Sequence, residues 1–267
     1  MKRDEATKLS DELLADLASQ LDGGKSEQLV KYLDAMSQFH NYSFGNCLLI
    51  ARQRPNATLV AGFHAWKKRG RIVKKGEKGI CILAPMVRKA DDDVEGEKKV
   101  FGFRAAHVFD IEQTEGDELP DVNRVGGDPG DALDRLRAAS SSLGIVVTEE
   151  EDLGGADGVS KGGAVVLRSG LSPAEAFATL AHELAHELLH RGEDRKTLSK
   201  SVKELEAEAV AYVVARAAGL ENALLQASDY IQCHRGDSEM LAKSLTRIQQ
   251  TASRLIEAIR ETETVAS

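Results

Sequence analysis

The sequence predicts an α+β chain in two parts. N-terminal helices precede a small antiparallel sheet, and a mostly helical part with a short β-sheet follows. Three observations carry this. Hydrophobic spacing changes from the period of helices to that of strands beyond Pro55, and returns to helical spacing from Pro173. Charge and aromatic residues are concentrated in one half. Between the halves, Glu115 to Asp131 holds two prolines, four glycines and six acids, a composition that cannot bury a core and reads as a linker. The expected domains are therefore 1–125 and 126–267, within a chain of 267 residues.

The elements follow in order. Leu13, Leu14, Leu17 and Leu21 make one helical stripe, ended by Gly23-Gly24. Leu29, Tyr32, Leu33 and Met36 make a second. Ser43 can cap a third helix through Leu48, Leu49 and Ile50, which stops before Pro55. Thr58 to Phe63, Gly79 to Leu83 and Val100 to Phe109 alternate as strands. Phe101, Phe103 and Phe109 are expected in the core. Lys75 to Gly79 has the glycines of a tight turn. The second part reads as a helix near Pro129 to Leu143, strands at Ile145 to Thr148 and Ala164 to Arg168, then helices at Pro173 to Arg191, Val202 to Ala218, Ala223 to Gln232 and Ser238 to about Thr262.

The net charge of −8 conceals a division. Arg52 to Lys89 holds eleven basic residues against one acid, Glu77, so this segment is +10 and the rest −18. Nine of twelve aromatics lie between Tyr32 and Phe109. A basic segment interleaved with aromatics suits single-stranded nucleic acid, because cations track phosphates and rings stack on bases. The contacts expected are Tyr42, Arg52, Trp66, Lys67, Lys68, Arg69, Arg71, Lys74, Lys75 and Lys78, with Phe44 and Phe63 as further stacking rings. No recognition-helix pattern points to duplex grooves. No apolar run approaches a membrane span, and Met1 to Ser10 lacks an apolar signal core. Cys47, Cys81 and Cys233 are odd in number and widely spaced, and are expected as small buried side chains in a reducing cytoplasm.

The sharpest motif is His182-Glu183-Leu184-Ala185-His186. Ser172 is a good N-cap, Pro173 suits the first helical position, and Glu175 completes a capping box. On that helix His182 and His186 share a face, as a pair of Zn²⁺ ligands must. Glu183, one residue around, has the general-base position of a zinc hydrolase. A third ligand is needed, and Glu204, Glu206 and Glu208 lie downstream. Glu204 and Glu208 share a face, with Glu206 roughly opposite. Glu208 is the favoured ligand, with Glu204 orienting a histidine or serving as the alternative ligand. His190 is expected beside the site or on the surface.

GLSPAEAFATLAHELAHELLH, from Gly170 to His190, resembles the ImmA/IrrE zinc metallopeptidases, as does E-x-E-A-x-x-Y from Glu206 to Tyr212. The resemblance implies a gluzincin-like site with Glu183 as base, and a third ligand at Glu208 or, in another register, Glu206. Tyr212, Tyr230 and His234 are the candidates for a transition-state donor. NYSFGNCLLIARQRPNATLVAGFHAWKKRGRIVKKGEKGICILAP, from Asn41 to Pro85, and VFDIEQTEG, from Val108 to Gly116, resemble the N-terminal domain of the ArdC antirestriction proteins. The tail from Ser228 to Ala258 is similar to that family's last helices. Two departures stand out: an acidic run, Asp91 to Glu97, in a shortened segment, and Cys233 where the family suggests tryptophan. This resemblance implies single-stranded DNA binding, protection of incoming plasmid DNA, and a zinc-dependent peptidase acting on an unknown protein. The alternatives are a regulatory protease that cleaves a repressor, and a non-catalytic DNA-coating protein with a structural zinc.

Overall fold

The computed structural model describes residues 1–22, 27–89, 98–118, 129–190, 198–220 and 238–265. They form an α+β fold that packs as two compact units, Met1–Asp16 with Gly45–Pro120, and Leu17–Phe44 with Asp121–Ser267.

In the first unit, α1 (Arg3–Asp22, through Asp16) and α3 (Phe44–Gln53, from Gly45) accompany a sheet of β1 (Val60–Gly62), β4 (Lys98–Asp110) and β3 (Ile80–Lys89). All its pairings are antiparallel. Strand β3 lies at the edge, and two amides of α3 cover part of it. Asn46 accepts the Leu83 N–H at 2.8 Å and donates to the Leu83 carbonyl at 2.9 Å. Gln53 does the same at Cys81, at 3.0 and 2.8 Å. These side chains satisfy backbone groups that a neighbouring strand would otherwise pair. Ala6 and Leu49 close the core over Cys81, with Leu9, Leu83 and Ala105 against them.

The strand expected from Thr58 shortens to β1 because the Asp110 carboxylate takes the Thr58 and Leu59 N–H groups, at 2.8 and 3.2 Å. After Gly62 the chain turns into a short helix, α4 (Phe63–Lys68). A second ribbon pairs β2 (Arg71–Val73) with β5 (Thr114–Gly116). The turn after β2 holds Gly76 at φ 92°, a conformation that favours glycine. Phe101 and Phe103, expected in the core, are 56% and 47% exposed. They lie toward the outer end of the β3–β4 hairpin.

In the second unit, α5 (Pro129–Ser142) leads into a mixed sheet, β6 (Val146–Glu150), β8 (Ala164–Arg168) and β7 (Gly158–Ser160). Strand β8 is central, parallel to β6 and antiparallel to β7, and buries Val165, Val166 and Leu167. The helices α6 (Pro173–Leu189), α7 (Lys200–Ala217) and α8 (Ser238–Val265) pack together beside it. Although α2 (Glu27–Gln38) lies within the first 125 residues, it packs on α7. Its apolar stripe, Leu29, Leu33 and Met36, is fully buried. Asp34 accepts the Tyr212 hydroxyl at 2.8 Å and Arg216 Nε at 3.2 Å. Cys47 and Cys81 are buried thiols outside any disulfide, and burial pushes the Cys47 thiol up to about 12. No helix among the described residues is long and apolar enough to cross a membrane. The helix expected at Ala223 to Gln232, and Cys233, lie outside the described residues.

Candidate functional site

Helix α6 begins as its sequence dictates. Ser172 Oγ accepts the Glu175 N–H at 3.4 Å, and the Glu175 carboxylate accepts the Ser172 N–H at 2.9 Å. Phe177, Leu180, Ala181 and Leu184 are wholly buried, so the helix has one rotational setting and aims its histidines at α7.

Three donor atoms converge there. His182 Nε2 and His186 Nε2 are 3.0 Å apart, and Glu204 Oε2 lies 3.4 and 3.5 Å from them. Two ligands about 2.0–2.1 Å from one tetrahedral ion are separated by about 3.3 Å. The three atoms therefore form a triangle of the size of one face of such a tetrahedron, and could hold a divalent metal ion. Burial and the adjacent His182 push His186 down to about 4, so its ring is neutral at pH 7 with a lone pair to give.

A buried chain of partners sets that lone pair's direction. His186 Nδ1 lies 3.1 Å from His190 Nδ1, and His190 Nε2 lies 3.2 Å from Glu206 Oε2. A carboxylate only accepts, so His190 presents its Nε2–H to Glu206, and the tautomer carrying that proton accepts at Nδ1. His186 then donates from Nδ1, which leaves Nε2 bare toward Glu204 and His182. Glu206 is wholly buried and also receives Arg247. Burial works to raise its pKa, but hydrogen bonds from His190 and Arg247 prevail and hold the carboxyl below its usual range.

Glu183 faces the same space. Burial raises its pKa, against the opposing pull of His182 and of hydrogen bonds from the Ser160 backbone and side chain. The pocket has a volume of about 350 Å³, with Ser160 and Gly158 on one side, Lys200 and Lys203 on another, and the histidines between. Glu187 is buried and ties the β7–β8 turn to α6, accepting the Gly162 and Gly163 N–H groups at 2.7 and 2.6 Å.

Among the sequence-based candidates, His182, Glu183 and His186 come together as expected, but the carboxylate that joins them is Glu204, not Glu208. Glu208 sits four residues on, about 6 Å along the helix axis, and lies outside the donor group. The orienting role expected of Glu204 falls to Glu206, through His190. Tyr212 donates to Asp34 and is absent from the pocket lining, which removes it as a transition-state donor. Tyr230 and His234 lie outside the described residues. Ser160 and Gly158 had no signal in the sequence, because strand β7 is only three residues long; Glu187, on α6, had none because its partners, the Gly162 and Gly163 N–H groups, are set by tertiary packing. His190 did have one: it continues the i, i+4 series of His182 and His186.

The basic candidates divide in the first unit. Arg52, Lys67, Lys68, Arg69, Lys74, Lys75 and Lys78 are exposed. Lys74 donates to the Glu112 carbonyl at 2.9 Å, and Arg69 lies 5.7 Å from the centre of the Trp66 ring. Arg71 is committed to β5, donating to Thr114 Oγ1 at 2.8 Å and the Thr114 carbonyl at 3.2 Å. Trp66 is corrected outright. Its side chain is fully buried and its indole N–H donates to the Phe109 carbonyl at 2.8 Å, so it cannot stack on a base. Phe44 is buried, Tyr42 is half-buried, and Phe63 is 49% exposed.

Residues 3–109 match the N-terminal domain of anti-restriction factor ArdC, and residues 141–230 match the IrrE N-terminal-like domain of the M78 peptidases. An uncharacterized Bacillus anthracis protein, pXO2-81, is 23% identical over 305 residues, which cover 96% of this chain and 51% of the relative. The chain thus spans about half the length of that relative. The Mn(II)-bound crystal structure of ArdC from plasmid R388 is similar at a TM-score of 0.52 and 18% identity, covering 94% of this chain and 98% of that one. The metal-free crystal structure of the same protein gives 0.46 at 21% identity, over 81% and 85%. The protein is thus ArdC-like in its domains: an ArdC N-terminal-like domain over residues 3–109 is followed along the chain by an IrrE N-terminal-like domain over residues 141–230.

Proposed function

We propose that the chain binds single-stranded DNA through its first unit and hydrolyses a protein substrate at a zinc centre in its second, as an antirestriction factor. The observation that carries the catalytic part is the triangle of His182, His186 and Glu204 beside a desolvated Glu183, at an open pocket. Two imidazoles, one carboxylate and an open position make the donor set of a hydrolytic zinc site. Support for a metal also comes from the R388 relative, which binds Mn(II) in its crystal structure.

When bound, zinc supplies Lewis acidity for attack on a carbonyl. The chain's own residues do the rest. Glu183 takes the proton of the attacking water and passes it to the leaving amine. Ser160 holds the Glu183 carboxylate toward the pocket. The chain from His190 through Glu206 to Arg247 keeps the His186 ring in one tautomer and one orientation. In the first unit, exposed Lys67, Lys68, Lys75 and Lys78 offer charge to a phosphate backbone.

The test is proteolysis of candidate proteins by zinc-loaded wild type and Glu183→Gln, with and without single-stranded DNA, read by mass spectrometry. Wild type should cleave, and Glu183→Gln should keep its metal and lose at least about 10²-fold in rate. Equal cleavage by both, or none by wild type, contradicts the catalytic reading. Protection of DNA that survives Glu183→Gln undiminished would separate antirestriction from catalysis.

A further inference from the structure

We propose that Lys200 and Lys203, on the first turn of α7, form a subsite for a substrate carboxylate one or two residues from the scissile bond. This inference rests on the peptidase reading above and names the substrate class of that site. The carboxylate belongs to an Asp or Glu side chain or to a peptide C-terminus. Both lysines line the same pocket as His182, His186, Glu204 and Glu183.

Their spacing fixes where the carboxylate sits. Three residues apart on a helix, they share a face and differ by about 4.5 Å along its axis. Lys203 directly precedes Glu204, the carboxylate of the donor triangle, so the pair begins within one turn of the reacting centre. An extended peptide advances about 3.3 Å per residue, so an acid held by this pair is close to the bond being cut.

The pocket's own carboxylates are engaged elsewhere. Glu204 meets His182 and His186. Glu187 accepts the Gly162 and Gly163 N–H groups. Glu183 takes hydrogen bonds from Ser160. Lys200 is exposed, and among the described residues its ammonium has neither an ion pair nor a hydrogen bond. Helix stability does not call for lysines at this place. The first turn of α7 has no acid, and cations there oppose the helix dipole, whose positive end adds to their field. With a divalent ion in place, that ion and the two lysines outweigh the three carboxylates. A substrate acid then has a charge-assisted partner that an amide of the same size lacks.

The experiment offers random decapeptides, with free or amidated C-termini, to the zinc-loaded full chain and to Lys200→Glu, Lys203→Glu and the double variant. Mass spectrometry reads the residues around each cleaved bond. Wild type should favour Asp and Glu over Asn and Gln by about 5-fold, the upper end for an exposed ion pair. Lys200→Glu should erase that preference and raise cleavage beside Lys and Arg, a gain that a merely damaged fold does not produce. A preference confined to free C-termini would assign the carboxylate to the chain end, and one kept by amidated peptides would assign it to side chains. Binding is read separately, from the peptides of the same library that immobilised Glu183→Gln retains. The same acid preference should appear, and should vanish when Lys200→Glu is added. If wild type cleaves without an acid preference, or the preference survives the double variant, the subsite is wrong while the peptidase reading stands. If wild type cleaves nothing yet Glu183→Gln retains acidic peptides through Lys200, the peptidase reading fails and the carboxylate subsite stands. Neither cleavage nor retention overturns both. Weaker oligothymidine binding by the double variant, with its peptide preference unchanged, would assign the lysines to DNA and overturn the proposal.

Discussion

A methyl group at position 158 would lie 2.5 Å from Thr179 Cγ2 and 3.0 Å from Glu183 Cγ. Gly158 is therefore the residue that lets strand β7 approach α6 closely enough for Ser160 to reach the Glu183 carboxylate. Overpacking there costs about 1–3 kcal/mol, and a displacement of about 1 Å at a catalytic group can cost ~10²-fold in rate. Gly158→Ala should keep its metal and lose about 10²-fold in proteolysis, read by metal content and peptide cleavage on the same sample. Full activity in that variant would show that the approach does not matter. The histidines and Glu183 were legible in the sequence because their relation is local, fixed by one helix. The carboxylate was not. Glu204 and Glu208 share a stripe, and choosing between them needs the register of α7 against α6, which no periodicity contains.

At the scale of elements, legibility followed length and local chemistry. Helix α6 announced both its cap and its buried face, and both are present. The stripe of α2 was equally plain, though what covers it was not: its partner α7 is some 170 residues away in sequence. Strands β2, β5 and β7, each three residues long, are too short for alternation to show. The aromatics differ from expectation in burial for related reasons. Trp66 sits directly before Lys67-Lys68-Arg69 and looked exposed, but helix α4 turns it inward to the Phe109 carbonyl. Phe101 and Phe103 alternate like core residues, yet their hairpin outruns the helices that would have covered them.

The second unit as a whole has an acid-sensitive point at His40. Its side chain is buried, Nε2 lies 3.1 Å from Arg260 NH1, and its carbonyl accepts from Gln249 at 2.8 Å. Burial and the Arg260 charge push its pKa down to about 4, from an ordinary 6.5. The unfolded chain thus takes up a proton below pH 6.5 that the folded chain refuses until about pH 4. His40's contribution to stability is complete above pH 6.5 and is lost as pH falls toward 4. Urea unfolding at pH 7.5 and pH 5 should show a loss of about 2 kcal/mol from this group, absent in His40→Gln. An equal loss in both proteins would remove His40 as the cause. Above all, the account depends on one metal held between two helices of that unit. Its most direct test is zinc stoichiometry, by mass spectrometry of the purified chain and of Glu204→Ala and Glu208→Ala. The account predicts one tightly held equivalent in wild type and in Glu208→Ala, and a loss of most of it in Glu204→Ala. Zinc retained without Glu204 but lost without Glu208, or no tight zinc in wild type, would contradict it.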